Sequence, residues 1–202
     1  ETDLSEGDTI TIIFGDRSGG SPGMKLQTFC EAGFEFKVLA DVCAVGHYFP
    51  LPETPHISIV PGEVHEWKAV LPSLRRIGEP FRLGLKAEDL WGNPTDRACE
   101  TLFLESSHPV QGLPETVSYP LGKKSLVLEG LIVEMPGVVR ILVKSEEEKV
   151  LAEAGPLLIQ EGGVSGYWGD LHGQSGETIG LTTSKQYFDF ARNKSFLDVT
   201  SH

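Results

Sequence analysis

His172 and His202 are the residues of this sequence best suited to carry chemistry. His172 lies in the run WGDLHGQS at positions 168–175, two residues after Asp170, and His202 ends the run VTSH at 199–202. Imidazole and carboxylate groups are ligands that suit zinc, manganese or iron. The sequence therefore predicts a divalent-metal site that includes both histidines.

A strand–helix–strand unit is expected to position the two histidines. Thr183 and Gln186 have the Thr-x-x-Gln spacing of a capping box, which marks the start of a helix. A helical crossover joins parallel strands, and parallel strands end at the same edge of a sheet. We therefore expect the two imidazoles to be neighbours. The predicted strand, glycine-rich loop, helix and second strand cover 167–172, 173–181, about 183–195 and 196–200.

The C-terminal motifs resemble those of the polymerase-and-histidinol-phosphatase (PHP) superfamily. Asp170-Leu171-His172 followed by Ser175 is similar to its first motif, usually Asp-Leu-His-x-His-Ser or Asp-Leu-His-x-His-Thr. Thr200-Ser201-His202 is similar to its second motif, usually Thr-Asp-His. The run DLHGQSGET at 170–178 resembles a large branch in which a β-rich region precedes the PHP-like barrel. The resemblance implies a distorted (β/α) barrel with more than one metal ion and hydrolysis of phosphoesters.

The same resemblance implies a role for each residue of the motifs. His172 and His202 match metal-binding histidines. Asp170 matches an aspartate to which we assign a supporting role, accepting an imidazole N–H and fixing its tautomer. Gln174 stands where the family has a second histidine, and glutamine is a poor ligand for zinc. The site would therefore hold fewer metals, use a harder metal or recruit another group, for which Glu177 is the nearest candidate.

The function that follows from these motifs is metal-assisted hydrolysis of a small-molecule ester or phosphoester. A bound divalent cation lowers the pKa of a water molecule from ~15.7 to about 7 and stabilises a developing oxyanion. Because residues 162–202 supply only the first strands of a barrel, we expect the remainder of its own chain to complete the site. These 202 residues alone are then expected to be inactive. The alternative is a non-catalytic β-sandwich that acts as a binding or scaffold module.

Several apolar residues near the C-terminus are expected to belong to the barrel wall. In the isolated unit they would be exposed, or covered by protein other than these 202 residues. Burial of the whole segment on the β region would count against a barrel. The residues are Phe188, Phe190, Phe196, Leu197 and Val199.

The rest of the sequence predicts a mainly β fold. Apolar and polar residues alternate along short runs with turn signals between them, which is the period of half-buried strands. Trp67 is the expected core anchor. The charged run at 145–149 reads as a hairpin tip. Strands are predicted over 8–14, within 26–42, and over 64–70, 81–87, 100–105, 117–119, 125–135, 137–144 and 157–160.

Two turns give the β region a further resemblance. The runs AEDLWGNP at 87–94 and MPGVVRI at 135–141 are similar to turns of bacterial immunoglobulin-like domains. In the first, Asp and Asn can bond to their own backbone and Gly permits positive φ. The predicted fold class is therefore mainly β, an immunoglobulin-like β-sandwich region followed by the first βαβ unit of a PHP-like barrel. The predicted segments are β-rich 1–60, immunoglobulin-like 61–161 and barrel start 162–202.

Composition excludes some classes of partner. The net charge is −12, whereas nucleic-acid binding requires clustered Lys and Arg, so no nucleic-acid partner is expected. No apolar run approaches the ~20 residues that span a bilayer, so no membrane partner is expected. The first residue is Glu1 rather than Met, which indicates a cut or processed start. Three cysteines without metal-type spacing predict buried free thiols and favour a cytoplasmic location, with a Cys30–Cys43 disulfide as the alternative.

Overall fold

The computed structural model describes residues 5–41 and 44–202. As predicted, the fold is mainly β. It consists of several sheets and a curled half-barrel. None of the described residues forms a helix long and apolar enough to cross a membrane. In chain order the elements are β1 (Glu31–Glu35), β2 (Leu39–Ala40), β3 (Phe49–Pro50), β4 (His56–Ile59), β5 (Glu66–Val70), β6 (Leu74–Arg76), β7 (Phe81–Glu88), β8 (Glu100–Ser106), β9 (Thr116–Tyr119), β10 (Leu126–Leu131), β11 (Gly137–Lys144), β12 (Val150–Gln160), β13 (Gly169–Asp170), α1 (Ser184–Asn193) and β14 (Val199–Thr200).

Two sheets form the body of the fold. One has the strand order β10-β7-β5 and the other the order β6-β12-β11-β8-β9. Neighbouring strands are antiparallel except for β6 and β12, which run parallel. Each strand predicted between positions 64 and 160 is present, β11 with the predicted ends and the others with shifted ends, whereas β6 was not predicted. We call these two sheets with their connections, residues 61–160, the β body.

Both sheets of the β body contribute to one hydrophobic core. The predicted alternation in β7 is confirmed, since Leu83 and Leu85 are fully buried. Trp67 is the predicted anchor, and its ring meets the ring of Tyr119 edge-on with centroids 4.9 Å apart. The fully buried members include Leu83, Leu85, Leu102, Tyr119, Leu131, Val139, Ile141, Val143 and Leu157.

The turn after β7 closes by the mechanism that the sequence predicts. The Asp89 carboxylate accepts hydrogen bonds from the backbone N–H groups of Trp91, Asn93 and Gly62, at 2.8, 3.0 and 2.9 Å. Gly92 has φ 81°. Burial raises the pKa of Asp89, but these hydrogen bonds outweigh it and hold the pKa below its ordinary value. The turn therefore depends on an ionised carboxylate.

The charged run at 145–149 forms the predicted hairpin tip between β11 and β12. The strands pair up to Lys144 and Val150. The Ser145 N–H donates to the Lys149 carbonyl at 2.9 Å, and Glu148 adopts φ 58°.

The predicted strand over 8–14 is wrong. Ile10, Ile12 and Ile13 lie in extended chain outside any sheet and are 72%, 64% and 69% exposed. Their β propensity finds no partner strand with which to pair, and a strand is stable only in a ladder. Phe14 alone is anchored, because its ring stacks on Phe36 at 4.3 Å.

Two short antiparallel pairs make up the rest of the N-terminal segment. β1 pairs with β4 and β2 pairs with β3, which confirms that 26–42 contains strands, although Val42 lies outside the described residues. Phe34, Phe36 and Val38 are partly buried and the intervening residues exposed, as the alternation predicts.

The prediction of buried thiols is wrong for the cysteines that the structure describes. Cys30 and Cys99 are free and exposed. Both lie outside the core, Cys30 just before β1 and Cys99 just before β8. Cys43, and with it the predicted Cys30–Cys43 disulfide, lies outside the described residues.

The C-terminal unit, residues 162–202, forms the predicted strand–helix–strand arrangement. β13 and β14 pair in parallel, although each is shorter than predicted. The predicted capping box is confirmed. The Gln186 N–H donates to the Thr183 hydroxyl at 3.3 Å, and the Thr183 N–H donates to the Gln186 side chain at 2.9 Å. Of the apolar face of α1, only Ala191 is buried.

Candidate functional site

The parallel strands of the C-terminal unit bring the two histidines to one edge. Gly169 pairs with Val199 and Asp170 with Thr200. His172 and His202 therefore occupy equivalent positions, each two residues beyond the last pair. We call this edge, with its two imidazoles, the histidine edge. The predicted parallel arrangement is confirmed, whereas the ligand roles of the histidines stay predictions.

Consecutive residues of the loop after β13 contact the two rings. Nε2 of His172 lies 3.3 Å from Nε2 of the Gln174 amide. Nε2 of His202 lies 2.7 Å from Oγ of Ser175. Ser175 is fully buried, and its Oγ also accepts the Glu177 N–H at 3.2 Å. The Ser175 hydroxyl and the His202 ring therefore form a hydrogen bond, in which the tautomer of the ring determines the donor.

Asp170 ties the strand ends to the helix rather than to an imidazole. Its Oδ1 accepts the backbone N–H of His172 at 2.9 Å, and its Oδ2 accepts the Tyr187 hydroxyl at 3.3 Å. The Tyr187 hydroxyl also lies 2.5 Å from Oγ1 of Thr200. The predicted bond from Asp170 to the imidazole N–H is therefore replaced by one to the backbone of the same histidine. The supporting role of Asp170 at a metal site stays a prediction.

The Glu177 carboxylate bonds the start of α1. It accepts the Ser184 hydroxyl at 2.8 Å, at the first residue of α1. A carboxylate is stabilised there because the start of a helix carries partial positive charge. The Glu177 carboxylate therefore lies at the helix start. Gln174 is the residue at the motif position where PHP proteins usually have a second histidine.

The His172 and His202 imidazoles are suitable ligands for a divalent transition metal, but they are only part of a ligand set. Histidine imidazole is the common nitrogen ligand of zinc, and a tetrahedral site needs four ligands. Over 5–41 and 44–202, no group of three or more His, Cys, Asp or Glu side chains could hold a metal ion. The described residues thus supply at most half of a ligand set.

The predicted barrel-wall residues divide into two groups. Phe188, Phe190 and Val199 are 42%, 45% and 52% exposed, as expected. Phe196 is only 5% exposed because its ring lies over Gly84 of β7. Phe196 was expected to be exposed or covered by protein other than these 202 residues, and this expectation is wrong. Of these residues, Phe196 docks its ring on the β body, and the segment is not buried as a whole.

Three charged residues at the base of the C-terminal unit were missed from the sequence. Arg75 is 4% exposed and its guanidinium lies over the Tyr167 ring at 4.5 Å. Arg75 and Arg82 both face Asp198, with N–O distances of 3.6 and 3.7 Å. No local pattern marks these residues, since the two partners in each pair are far apart in the chain.

The exposed aromatic side chains do not form a stripe on either large sheet. Among the described residues of these sheets, Phe103 in β8 is the only exposed aromatic residue. Trp91 is 58% exposed in the turn after β7, where the Lys25 ammonium lies 5.9 Å from its ring. Stacking sites for sugars need aligned aromatic rings, so this surface does not favour a carbohydrate-binding module.

No family model matches the chain, and the search of curated proteins found no match.

Glu79 links the β body to the segment that leads into β13, and this link is expected to depend on pH. The carboxylate accepts hydrogen bonds from the Arg76 N–H at 3.0 Å, the Ser165 hydroxyl and the Tyr167 hydroxyl at 3.2 Å. The Arg76 and Ser165 bonds, aided by Tyr167 and the Arg76 charge, outweigh burial and lower the pKa of Glu79 from 4.5 to about 2. Its contribution to stability is therefore complete above pH 4.5 and is lost as the pH falls through about 2.

Amide exchange at positions 165–167, measured from pH 5 downward and corrected for intrinsic rates, checks this expectation. Protection should fall with pH in the wild type and vary much less in Glu79→Gln. Glu153→Gln, which alters an exposed ion pair in β12, is the matched control. Equal pH dependence in Glu79→Gln and wild type would show that another group controls the link.

Proposed function

We propose that the C-terminal unit contributes His172 and His202 as two ligands of a divalent-metal site in a hydrolase. The observation that carries the proposal is the parallel register of β13 and β14, which places the two imidazoles at equivalent positions on one edge. Although 30 positions separate them in the chain, both histidines follow the ends of paired strands, because a single helical crossover returns the second strand beside the first. The remaining ligands would come from protein outside the described residues.

The ester or phosphoester substrate rests on the resemblance of the motifs to PHP proteins. When bound, a divalent cation such as zinc, manganese or iron supplies Lewis acidity to such a reaction. The chain's own residues hold the ligands. Asp170 fixes the backbone that carries His172, and Gln174 and Ser175 contact the two rings.

We also propose that residues 61–161 are an immunoglobulin-like β-sandwich that supports the first βαβ unit of a PHP-like barrel. Two sheets with a shared apolar core support the sandwich, and the β13-α1-β14 unit supports the barrel. The alternative role as a carbohydrate-binding module is not favoured, because exposed aromatic rings are not aligned on either sheet.

Titration calorimetry with Zn²⁺ or Mn²⁺ on the 202-residue chain tests the metal site. Single variants His172→Ala and His202→Ala are each expected to weaken binding by at least ~10-fold, because each imidazole supplies a large share of the binding free energy. His56→Ala and His65→Ala, which remove exposed histidines of the β region, are the controls and should leave binding unchanged. Equal losses in all four variants would indicate non-specific surface binding and contradict the proposal.

A second titration addresses the substrate class. Inorganic phosphate is expected to bind the metal-loaded chain and not the metal-free chain, since an exposed cation is the anion-attracting group at the histidine edge. Phosphate binding that persists in the His172→Ala His202→Ala double variant would place the anion elsewhere and overturn the phosphoester assignment.

A further inference from the structure

Asp198 closes the start of the two-stranded sheet that carries the histidines. It immediately precedes β14, and Trp168 immediately precedes β13. The Trp168 N–H donates to Oδ2 of Asp198 at 3.0 Å, and the Asp198 N–H donates to the Trp168 carbonyl at 2.8 Å. The two residues therefore clamp the strands together by a reciprocal pair of bonds.

This clamp lies at a fixed distance from the histidine edge. Trp168 is four residues before His172, and Asp198 is four residues before His202. Because the strands are parallel and in matched register, the pairing of Trp168 with Asp198 sets which residue of β14 lies beside each residue of β13. A slip of one position would turn one imidazole to the opposite face.

The other carboxylate oxygen of Asp198 faces two arginines of the β body. Arg75 comes from β6 and Arg82 from β7, which belong to different sheets. Their Nη2 atoms lie 3.6 and 3.7 Å from Oδ1 of Asp198. The side chains of Asp198, Arg75 and Arg82 are only 16%, 5% and 19% exposed. Attraction between such poorly solvated charges is much less screened than that of a surface pair.

The same guanidinium groups hold the backbone on either side of the clamp. Arg75 donates to the Gly166 carbonyl, and Arg82 donates to the carbonyls of Phe196 and Leu197, at 3.2 and 2.5 Å. Without the Asp198 carboxylate, the buried Arg75 guanidinium and the partly buried Arg82 guanidinium would lose the negative charge that both of them face, which is unfavourable.

We propose that Asp198 is the positioning residue of the histidine edge, because its carboxylate fixes the register of β13 against β14 and holds both strands on the guanidinium groups of Arg75 and Arg82. The β body thereby acts as a template for the site and is more than a neighbouring domain. The inference rests on the proposed function only for the expected change in metal affinity. The expected effect on strand register does not depend on any metal.

The test compares Asp198→Ala with wild type in the full chain by amide exchange and by Zn²⁺ titration. Exchange at Trp168 is expected to accelerate at least ~10-fold, because its N–H loses a charged acceptor. Exchange at Val199 and Ser201, whose N–H groups donate to carbonyls across the same strand pair, is expected to accelerate as the pairing loosens, while amides of β7 and β11 keep wild-type rates. Zn²⁺ affinity is expected to fall roughly 10–100-fold. Ring resonances of His172 and His202 should shift, which a loss of global stability alone would not cause in the folded chain.

Two further variants complete the design. Asp198→Asn keeps an oxygen for the Trp168 N–H but loses the charge, so an intermediate effect is expected, and it serves if Asp198→Ala does not fold. Asp189→Ala is the matched control, since the Asp189 carboxylate on α1 bonds its own helix end through Asn193 and Lys194. Unchanged exchange at Trp168 and Val199 in both Asp198 variants would overturn the inference. Accelerated exchange in a protein whose wild type binds no Zn²⁺ would support the positioning of the strands and overturn the proposed function instead.

Discussion

Gly173→Ala is expected to force the ends of β13 and β14 apart and so to separate the two imidazoles. An added Cβ would overlap the Tyr187 hydroxyl and would lie 2.7 Å from the Ser201 carbonyl oxygen. The backbone at Ser201 cannot yield as a flexible side chain does, because its N–H is bonded to the Asp170 carbonyl at 2.9 Å. Overpacking of this kind costs ~1–3 kcal/mol, and contact with backbone places the cost at the upper end.

The loss should be concentrated at the histidine edge. A displaced Tyr187 hydroxyl gives up its bonds to Thr200 and Asp170, which tie the helix to both strand ends. Amide exchange at Ser201 is therefore expected to rise by at least ~10-fold, equivalent to about 1.4 kcal/mol, and Zn²⁺ affinity to fall with it.

Gly162→Ala provides the matched control for Gly173→Ala. Gly162 opens the same C-terminal unit, and a Cβ there would meet nothing within 4 Å. If Gly173→Ala and Gly162→Ala show the same exchange at Ser201 and the same thermal midpoint, the close approach of Gly173 to Tyr187 is not what holds the edge together.

Local signals made much of this fold predictable from the sequence. The turn at Asp89 and the capping box at Thr183 and Gln186 each involve residues that are two to four positions apart. The buried alternation in β7 is also a local pattern. Residues at such short separation find one another in any compact state, so their chemistry alone predicts their structure. The parallel pairing of β13 with β14 could be predicted because one crossover connects them.

The failures involve partners that the local pattern does not contain. The run at 8–14 has the composition of a strand, but pairing depends on an available edge elsewhere in the chain. Asp170 was expected to bond an imidazole and bonds a backbone N–H instead, since a two-residue spacing suits a turn as well as a ring. Arg82 and Leu197 are separated by 115 positions, and only the assembled fold shows that they meet. For this reason, the contacts that dock the C-terminal unit on the β body could not be predicted from the sequence.

Gly84→Ala is expected to expel the ring of Phe196 from β7 and to destabilise the chain nearly as much as removal of that ring. A Cβ on Gly84 would lie 2.7 Å from Cδ2 of Phe196 and nearer still to the next ring carbons. The ring lies flat on the glycine, so it can clear the new atom only by leaving the site. Phe196 adopts φ 57°, a strained conformation for a bulky residue, and its burial holds that conformation in place.

A double-mutant cycle measures this coupling by chemical denaturation. Phe196→Ala is expected to cost ~3–5 kcal/mol, as for other buried phenylalanines, and Gly84→Ala alone ~2–3 kcal/mol from lost burial and strain. On the Phe196→Ala background, Gly84→Ala should cost far less, since the clash has gone, which gives an interaction energy of ~1–3 kcal/mol. Gly33→Ala in β1, where a Cβ meets nothing within 4 Å, reports the effect of adding a methyl group to a strand glycine. Additive losses would mean that the ring of Phe196 does not dock the C-terminal unit. Strong coupling between Gly84 and Phe196 would mean that the ring of Phe196 docks the C-terminal unit, and with it the histidine edge, on β7.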